Sequence, residues 1–195
     1  NSILPRYVDK EKVNDLCMAM IEDHMFYDKK KSRINVVRKH HQLIIDDELS
    51  KAGIRRPSNP IGIGWAGPTI VFAGTEEQKK KYIPRLLSGE DFWCQLFSEP
   101  GSGSDLANLG TRAVRDGDEY IVNGQKIWTS GAQYAKYGIL IARTNPDAPK
   151  HKGVSYFICP MNLPGIEIRP IREMTGASTF NEVFFTDVRL PAANL

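Results

Sequence analysis

Two stretches of this chain hold residue types that do chemistry when brought together. The first is Gln95-Leu96-Phe97-Ser98-Glu99-Pro100-Gly101-Ser102-Gly103-Ser104-Asp105. A short apolar run enters a proline, then a Gly/Ser loop, then an acid. Glycine lets a backbone come close to a ligand and turn its amides toward it, and serine adds hydroxyl donors. Such a loop suits an anion such as a pyrophosphate. The second is Lys126-Ile127-Trp128-Thr129-Ser130-Gly131-Ala132. A tryptophan followed by two hydroxyl residues offers a planar group a flat wall with hydrogen-bond donors beside it. Each stretch has a plainer reading: a surface turn for the first, a packed core tryptophan for the second.

Three better-known loops do not fit the first stretch. Gly101-Ser102-Gly103-Ser104-Asp105-Leu106 lacks the third glycine of a dinucleotide fingerprint, and no βαβ pattern surrounds it. No Gly-Lys-Ser/Thr follows, so it is not a P-loop. Neither Ser102 nor Ser104 sits in the G-x-S-x-G of a nucleophile elbow.

The elements that must position these stretches change character along the chain. Apolar residues at Val13, Leu16, Cys17, Met20 and Ile21 fall on one helical face, with Asp9 as N-cap. A second helix is predicted from Ser32 to Lys51, stopped by Gly53. Arg56 to Pro68, rich in proline and glycine, reads as a loop, with a short helix from Thr69. Thr75-Glu76-Glu77-Gln78 has capping-box spacing and opens another helix, which Pro84 should kink or restart and Gly89 end. After Glu90 the period becomes that of strands. They are predicted at Phe92 to Ser98, Glu119 to Val122, Gln125 to Thr129, Tyr137 to Arg143, Val154 to Cys159, Ile166 to Arg172 and Glu182 to Asp187. Asp116-Gly117 and Asn123-Gly124 are hairpin signals. The predicted class is therefore α+β: an N-terminal helical domain over residues 1–90, then an antiparallel β-sandwich or open-barrel middle domain over residues 91–195.

Composition narrows the function classes. The chain has 195 residues, 25% charged and 41% hydrophobic, enough to bury a core and unlike a disordered tail. Its net charge of +3 does not demand a nucleic-acid partner. No apolar run reaches the ~20 residues of a membrane helix. Cys17, Cys94 and Cys159 are far apart and form no CxxC, so neither a zinc site nor a disulfide framework is indicated. A reducing, cytoplasmic setting is expected, with no charged-then-apolar leader at Asn1. The six Lys and Arg residues from Lys29 to His41 read as a solvated face, because no aromatics interleave to stack bases. His40 and His41 point about 100° apart on a helix, and His24 and His151 have no partner at ligand spacing, so no metal site is expected.

Taken together, Ser98-Glu99-Pro100-Gly101-Ser102-Gly103-Ser104-Asp105 and Asn123-Gly124-Gln125-Lys126-Ile127-Trp128-Thr129-Ser130 resemble the flavin-binding middle domain of the acyl-CoA dehydrogenase family, bacterial members above all. Phe184-Phe185-Thr186-Asp187-Val188-Arg189-Leu190-Pro191 resembles the strand that leaves that domain. Gly74-Thr75-Glu76-Glu77-Gln78-Lys79-Lys80-Lys81-Tyr82 resembles the last helix before it. The match runs from about Pro57 to Leu195.

The resemblance implies FAD as cofactor and an acyl-CoA thioester as substrate, with electron-transfer flavoprotein as electron acceptor and a homo- or hetero-oligomer as assembly. It implies backbone contacts to the flavin from Gln95 and Leu96, and contacts to its pyrimidine edge from Phe97 and Ser98. Gly103 and Ser104 would lie near the pyrophosphate, with Ser104 also beside the CoA arm of the substrate. Trp128 would lie against the flavin ring, next to Thr129, and the Ser130 hydroxyl would bond flavin N5. The reaction implied is α,β-dehydrogenation, a glutamate removing the α-proton as the β-hydride passes to N5. In the family that glutamate comes from a helical C-terminal domain, expected just after Leu195, so no residue here is assigned as catalytic. Other readings stay open: an acyl-CoA oxidase or flavin monooxygenase of the same fold, a non-catalytic subunit or fragment completed by a partner chain, or a polyanion binder using Lys29 to His41.

Overall fold

The computed structural model describes residue 44, residues 47–53 and residues 58–195. The helix expected from Asp9, the basic tract Lys29 to His41 and His24 lie outside them. Of the Ser32–Lys51 helix only the end is described: residues 47–51 are helical, and Gly53 follows at φ 66°, in the left-handed region that glycine tolerates. The chain divides into two compact units, Asn1–Asp91 and Phe92–Leu195.

In the first unit the expected loop before Pro68 is helical instead. The helix begins at Pro60, widens into a π-helical turn over Gly62–Ala66 and continues as α1 (Gly67–Ala73), with Pro68 in its first turn. Within this continuous helix the proline removes one ladder donor, directly after the turn where the hydrogen-bond ladder has already widened. Glycine at 62 serves packing, since a Cβ would lie 2.3 Å from Asn59 Nδ2. Asn59 is buried and donates to the carbonyls of Leu86 and Asp91, each at 3.0 Å.

Helix α2 (Glu76–Leu87) starts on the expected capping box. Thr75 Oγ1 accepts from the Gln78 N–H at 3.2 Å, and Gln78 Oε1 accepts from the Thr75 N–H at 3.0 Å. Pro84 does not restart the helix. It removes one ladder donor near the end, while burial of Tyr82, Ile83, Leu86 and Leu87 holds the last turn in place.

The second unit is a curled, mixed seven-stranded sheet, a half-barrel. Its strands are β1 (Trp93–Leu96), β2 (Arg112–Asp116), β3 (Glu119–Lys126), β4 (Tyr137–Arg143), β5 (Val154–Pro160), β6 (Ile166–Pro170) and β7 (Asn181–Pro191). The order is β1-β4-β2-β3-β7-β6, with β5 also on β4. Most pairs are antiparallel, as expected, whereas β4 runs parallel to β1 and, at one register position, to β2. Leu96, Val122, Leu140, Phe157, Val183, Val188 and Leu190 are among the residues that fill its concave core.

Asp116-Gly117 turns the β2–β3 hairpin, but Asn123-Gly124 does not make a second one. β3 passes straight through it, with a bulge where its register on β7 shifts between Val122 and Gly124. Asn123 secures the bulge across the strands: its Nδ2 donates to Asp187 Oδ1 at 3.0 Å, and its Oδ1 accepts from the Asp187 N–H at 2.9 Å. Gly124 has φ 153°, and a Cβ there would sit 2.4 Å from Thr111 Oγ1 and 2.7 Å from Thr111 Cα. Because the obstruction includes backbone, Gly124→Ala is expected to cost roughly 2–4 kcal/mol, read as a lower denaturant midpoint. A midpoint equal to that of the unaltered chain would show that Thr111 yields.

Candidate functional site

Strand β1 leads into the first stretch. Gln95 is half-buried, and the Leu96 side chain lies wholly in the core, so what Leu96 offers a ligand is its backbone. Phe97 and Ser98 follow, both half-buried. The chain then folds into a tight turn with Pro100 and Gly101 at its tip. The Glu99 N–H donates to the Ser102 carbonyl at 2.8 Å, and the Ser102 N–H to the Glu99 carbonyl at 3.0 Å. Proline presets the backbone for such a tip. The Ser102 hydroxyl is spent internally on the Asp105 carbonyl at 2.8 Å.

Gly101, Gly103 and Ser104 are exposed. A Cβ on either glycine would meet nothing, and neither residue is among those with positive φ. What these glycines provide is an open approach to the backbone, not a left-handed turn. Arg143 on β4 fastens the far side of the loop, donating from Nη2 to the Ala107 carbonyl at 2.7 Å and from Nε to the Leu109 carbonyl at 3.3 Å.

The second stretch is sewn to the first. The Ile127 N–H donates to the Ser98 carbonyl at 2.9 Å. Lys126 has no exposed side-chain surface; its Nζ donates to the Phe97 carbonyl at 3.0 Å and to Glu99 Oε1 at 2.8 Å. Glu99 in turn accepts from the Thr111 N–H at 2.9 Å and from the Gly110 N–H. One buried ion pair therefore fixes where Phe97 and Ser98 stand relative to Trp128.

Burial pushes the Glu99 carboxyl up, but the Lys126 ammonium and the Thr111 and Gly110 donors outweigh it and hold the group below its ordinary 4.5. Burial pulls Lys126 below its ordinary 10.5, with Glu99 opposing. A carboxyl held lower in the folded chain than in the unfolded one stabilises the fold when ionised. That contribution is complete above about pH 4.5 and is lost as pH falls through the lower folded value. Acid titration of stability should therefore show the gap between the native chain and Glu99→Gln closing below pH 4.5. A gap that stays constant into acid would remove Glu99 from the account.

Trp128 stands out in this frame. Its φ is 59°, a left-handed conformation that is a genuine outlier for a bulky residue, and 58% of it is exposed. It is not the packed core tryptophan of the plainer reading. One edge contact with Phe180 steadies the ring, with centroids 6.0 Å apart and planes at 85°. Thr129 is buried and its Oγ1 has no hydrogen-bond partner among the described residues, while Ser130 is exposed. A half-exposed ring held in a strained backbone, followed by an accessible hydroxyl and tied through Ile127 to the strand end that leads into the open glycines, fits a planar, anionic group such as FAD.

The sequence reading missed three supports: the Lys126–Glu99 pair, Arg143 and Asn181. Lys126 left a signal. It shares the parity of Tyr120 and Val122, the inward residues of β3, and a lysine on an inward face requires a carboxylate. Among the described residues no group of His, Cys, Asp and Glu is arranged to hold a metal ion, and no helix is long and apolar enough to cross a membrane.

Residues 94–188 match the acyl-CoA dehydrogenase middle domain, and residues 37–90 match the acyl-CoA dehydrogenase N-terminal domain. The chain belongs to the acyl-CoA dehydrogenase family, whose members are flavoproteins. It is 56% identical over 150 residues to the acyl-CoA dehydrogenase FadE34 of Mycobacterium tuberculosis, a match covering 77% of this chain and 21% of the relative. Among solved structures it is similar to the Tcur3481-Tcur3483 steroid ACAD (38% identity, TM-score 0.70, covering 95% of this chain and 47% of that one). It is also similar to the ChsE4-ChsE5 complex from Mycobacterium tuberculosis (33% identity, TM-score 0.68, covering 98% and 57%). The chain thus spans about a fifth of that curated relative and about half of these solved chains.

Proposed function

We propose that this chain supplies the N-terminal and flavin-binding middle domains of an FAD-dependent acyl-CoA dehydrogenase. The observation that carries the reading is Trp128, strained and half-exposed on a segment tied to the Ser98–Ser104 loop through Ile127 and Lys126. When bound, the flavin supplies the acceptor for the β-hydrogen of the acyl group as a glutamate outside residues 1–195 takes the α-proton. The residues of this chain bind and orient. Gln95, Leu96, Phe97 and Ser98 would hold the pyrimidine edge, where fixed donors stabilise the charge that reduction brings without having to reorganise. Trp128 would cover one face of the ring system and exclude water from it. Ser130 would direct its hydroxyl to N5, with Thr129 packed behind. Gly103 and Ser104 would accommodate the pyrophosphate, Ser104 also meeting the CoA arm.

Electron-transfer flavoprotein is the proposed electron acceptor, and a second chain of the family the proposed partner, in keeping with the complex form of the ChsE4-ChsE5 relative. A cytoplasmic, reducing setting suits Cys94 and Cys159, which are separate buried thiols. Because one solved relative is a steroid ACAD, a steroid-bearing CoA thioester is the first substrate to try.

The test is FAD titration of the purified chain followed by flavin fluorescence. Saturable binding near one flavin per chain, weakened by Ser130→Ala, is expected. No saturation, or saturation indifferent to Ser130→Ala, would defeat the reading.

A further inference from the structure

Trp128 occupies a left-handed conformation that an L-residue adopts only when its surroundings impose it. The residues that follow it impose it. Thr129, the next residue, exchanges both backbone hydrogen bonds with Asn181, each at 3.0 Å. The Asn181 side chain, fully buried, adds a third bond from Nδ2 to the same Thr129 carbonyl at 2.9 Å. Its Nδ2 also donates to Gln133 Oε1, and Gln133 Nε2 donates to the Ser178 carbonyl at 3.0 Å. The Gly131 N–H closes the set on the Thr179 carbonyl at 3.1 Å. The segment 178–181 therefore grips the segment 129–133 at several points, immediately after the strained residue. A backbone pair alone would align the two segments. The carboxamides lock them, because Asn181 bonds the Thr129 carbonyl and Gln133 together from inside the fold.

We propose that Asn181 and Gln133 are positioning residues that fix the Trp128 indole, forcing its left-handed backbone and so its outward, edge-on placement against Phe180. For a flavin this inference rests on the reading above; for the ring itself it does not. Neither residue needs to touch a ligand to act. Loss of the Asn181 carboxamide lets residue 128 relax to an ordinary φ and swings the ring out of its plane.

The experiment uses the chain labelled with 5-fluorotryptophan, its three tryptophans (Trp65, Trp93 and Trp128) giving separate fluorine signals. Trp128→Phe assigns the site signal. In the absence of flavin, Asn181→Ala is expected to displace and broaden the Trp128 signal while leaving that of Trp93, buried in β1, in place. FAD half-saturation is expected to rise at least fivefold, the equivalent of ~1 kcal/mol. An unmoved Trp128 signal overturns the proposal, and so does equal movement of the Trp93 signal, which would mean general loosening. Should Asn181→Ala fail to fold, Gln133→Ala takes its place, with a smaller displacement expected and the same overturning result. A displaced Trp128 signal with unchanged FAD affinity supports the positioning role and counts instead against Trp128 as the flavin wall.

Discussion

Lys126→Met is expected to lower the melting temperature of the second unit by on the order of 10–40 °C and to abolish FAD retention. The reason is what remains after the change. Glu99 keeps its charge among the Thr111 and Gly110 N–H groups, but its counter-ion and the donor to the Phe97 carbonyl are gone. Removing one partner of a buried pair costs about 3–5 kcal/mol, and in a unit of this size each kcal/mol moves the melting point by roughly 4–8 °C. The double change Glu99→Gln with Lys126→Met should recover part of that loss, because no buried charge is left over. Circular dichroism melts, paired with flavin fluorescence, read both effects. A single variant that melts within a few degrees of the native chain would mean the pair is solvated in solution.

Trp128→Gly should separate stability from binding. An L-residue pays about 1–2 kcal/mol in the left-handed region, and glycine pays nothing there. Against that gain stands the lost edge contact with Phe180, worth about 0.5–1.5 kcal/mol. The variant is therefore expected to melt at or slightly above the native temperature. Its FAD half-saturation is expected to rise at least ~10-fold, since a stacked aromatic face worth ~1.4 kcal/mol or more has gone. Stability gained where affinity is lost marks a residue kept for its ligand. A variant that binds FAD as the native chain does would take Trp128 out of the site.

Much of the architecture was legible because burial imprints a period. Tyr137 to Arg143 is a mostly apolar run of strand length and forms β4 over the same residues, and the Thr75–Gln78 spacing carries its own cap. β2 escaped notice because only Ala113 of its five residues is buried, leaving no pattern to read. The Asn123-Gly124 pair misled because β3 runs straight through it: the extra residue of the bulge lies on β7, where Thr186 and Asp187 stand opposite Asn123, a pairing up to 64 residues away that the dipeptide does not encode. Asn59 and Gly62 show the converse: a proline- and glycine-rich stretch read as a loop is helical because the glycine is needed for close packing. Within the site the ligand-facing residue types could be picked out along the chain. The residues that hold them, Glu99 with Lys126 and Asn181 with Gln133, are joined over separations of 27 and 48 residues, which no local pattern encodes.

The two buried cysteines give the half-barrel a chemical clock. Cys94 and Cys159 lie opposite Gly138 from the two sides of β4. Burial pushes the Cys159 thiol up to about 12, and burial together with Cys159 raises Cys94 further still. Neither presents a thiolate to a reagent while β1, β4 and β5 stay zipped. Each modification event at Cys94 or Cys159 therefore records a moment when β4 has parted from a neighbour, so labelling rates at these two sites count the breathing of the strand on which the parallel and antiparallel parts of the sheet meet.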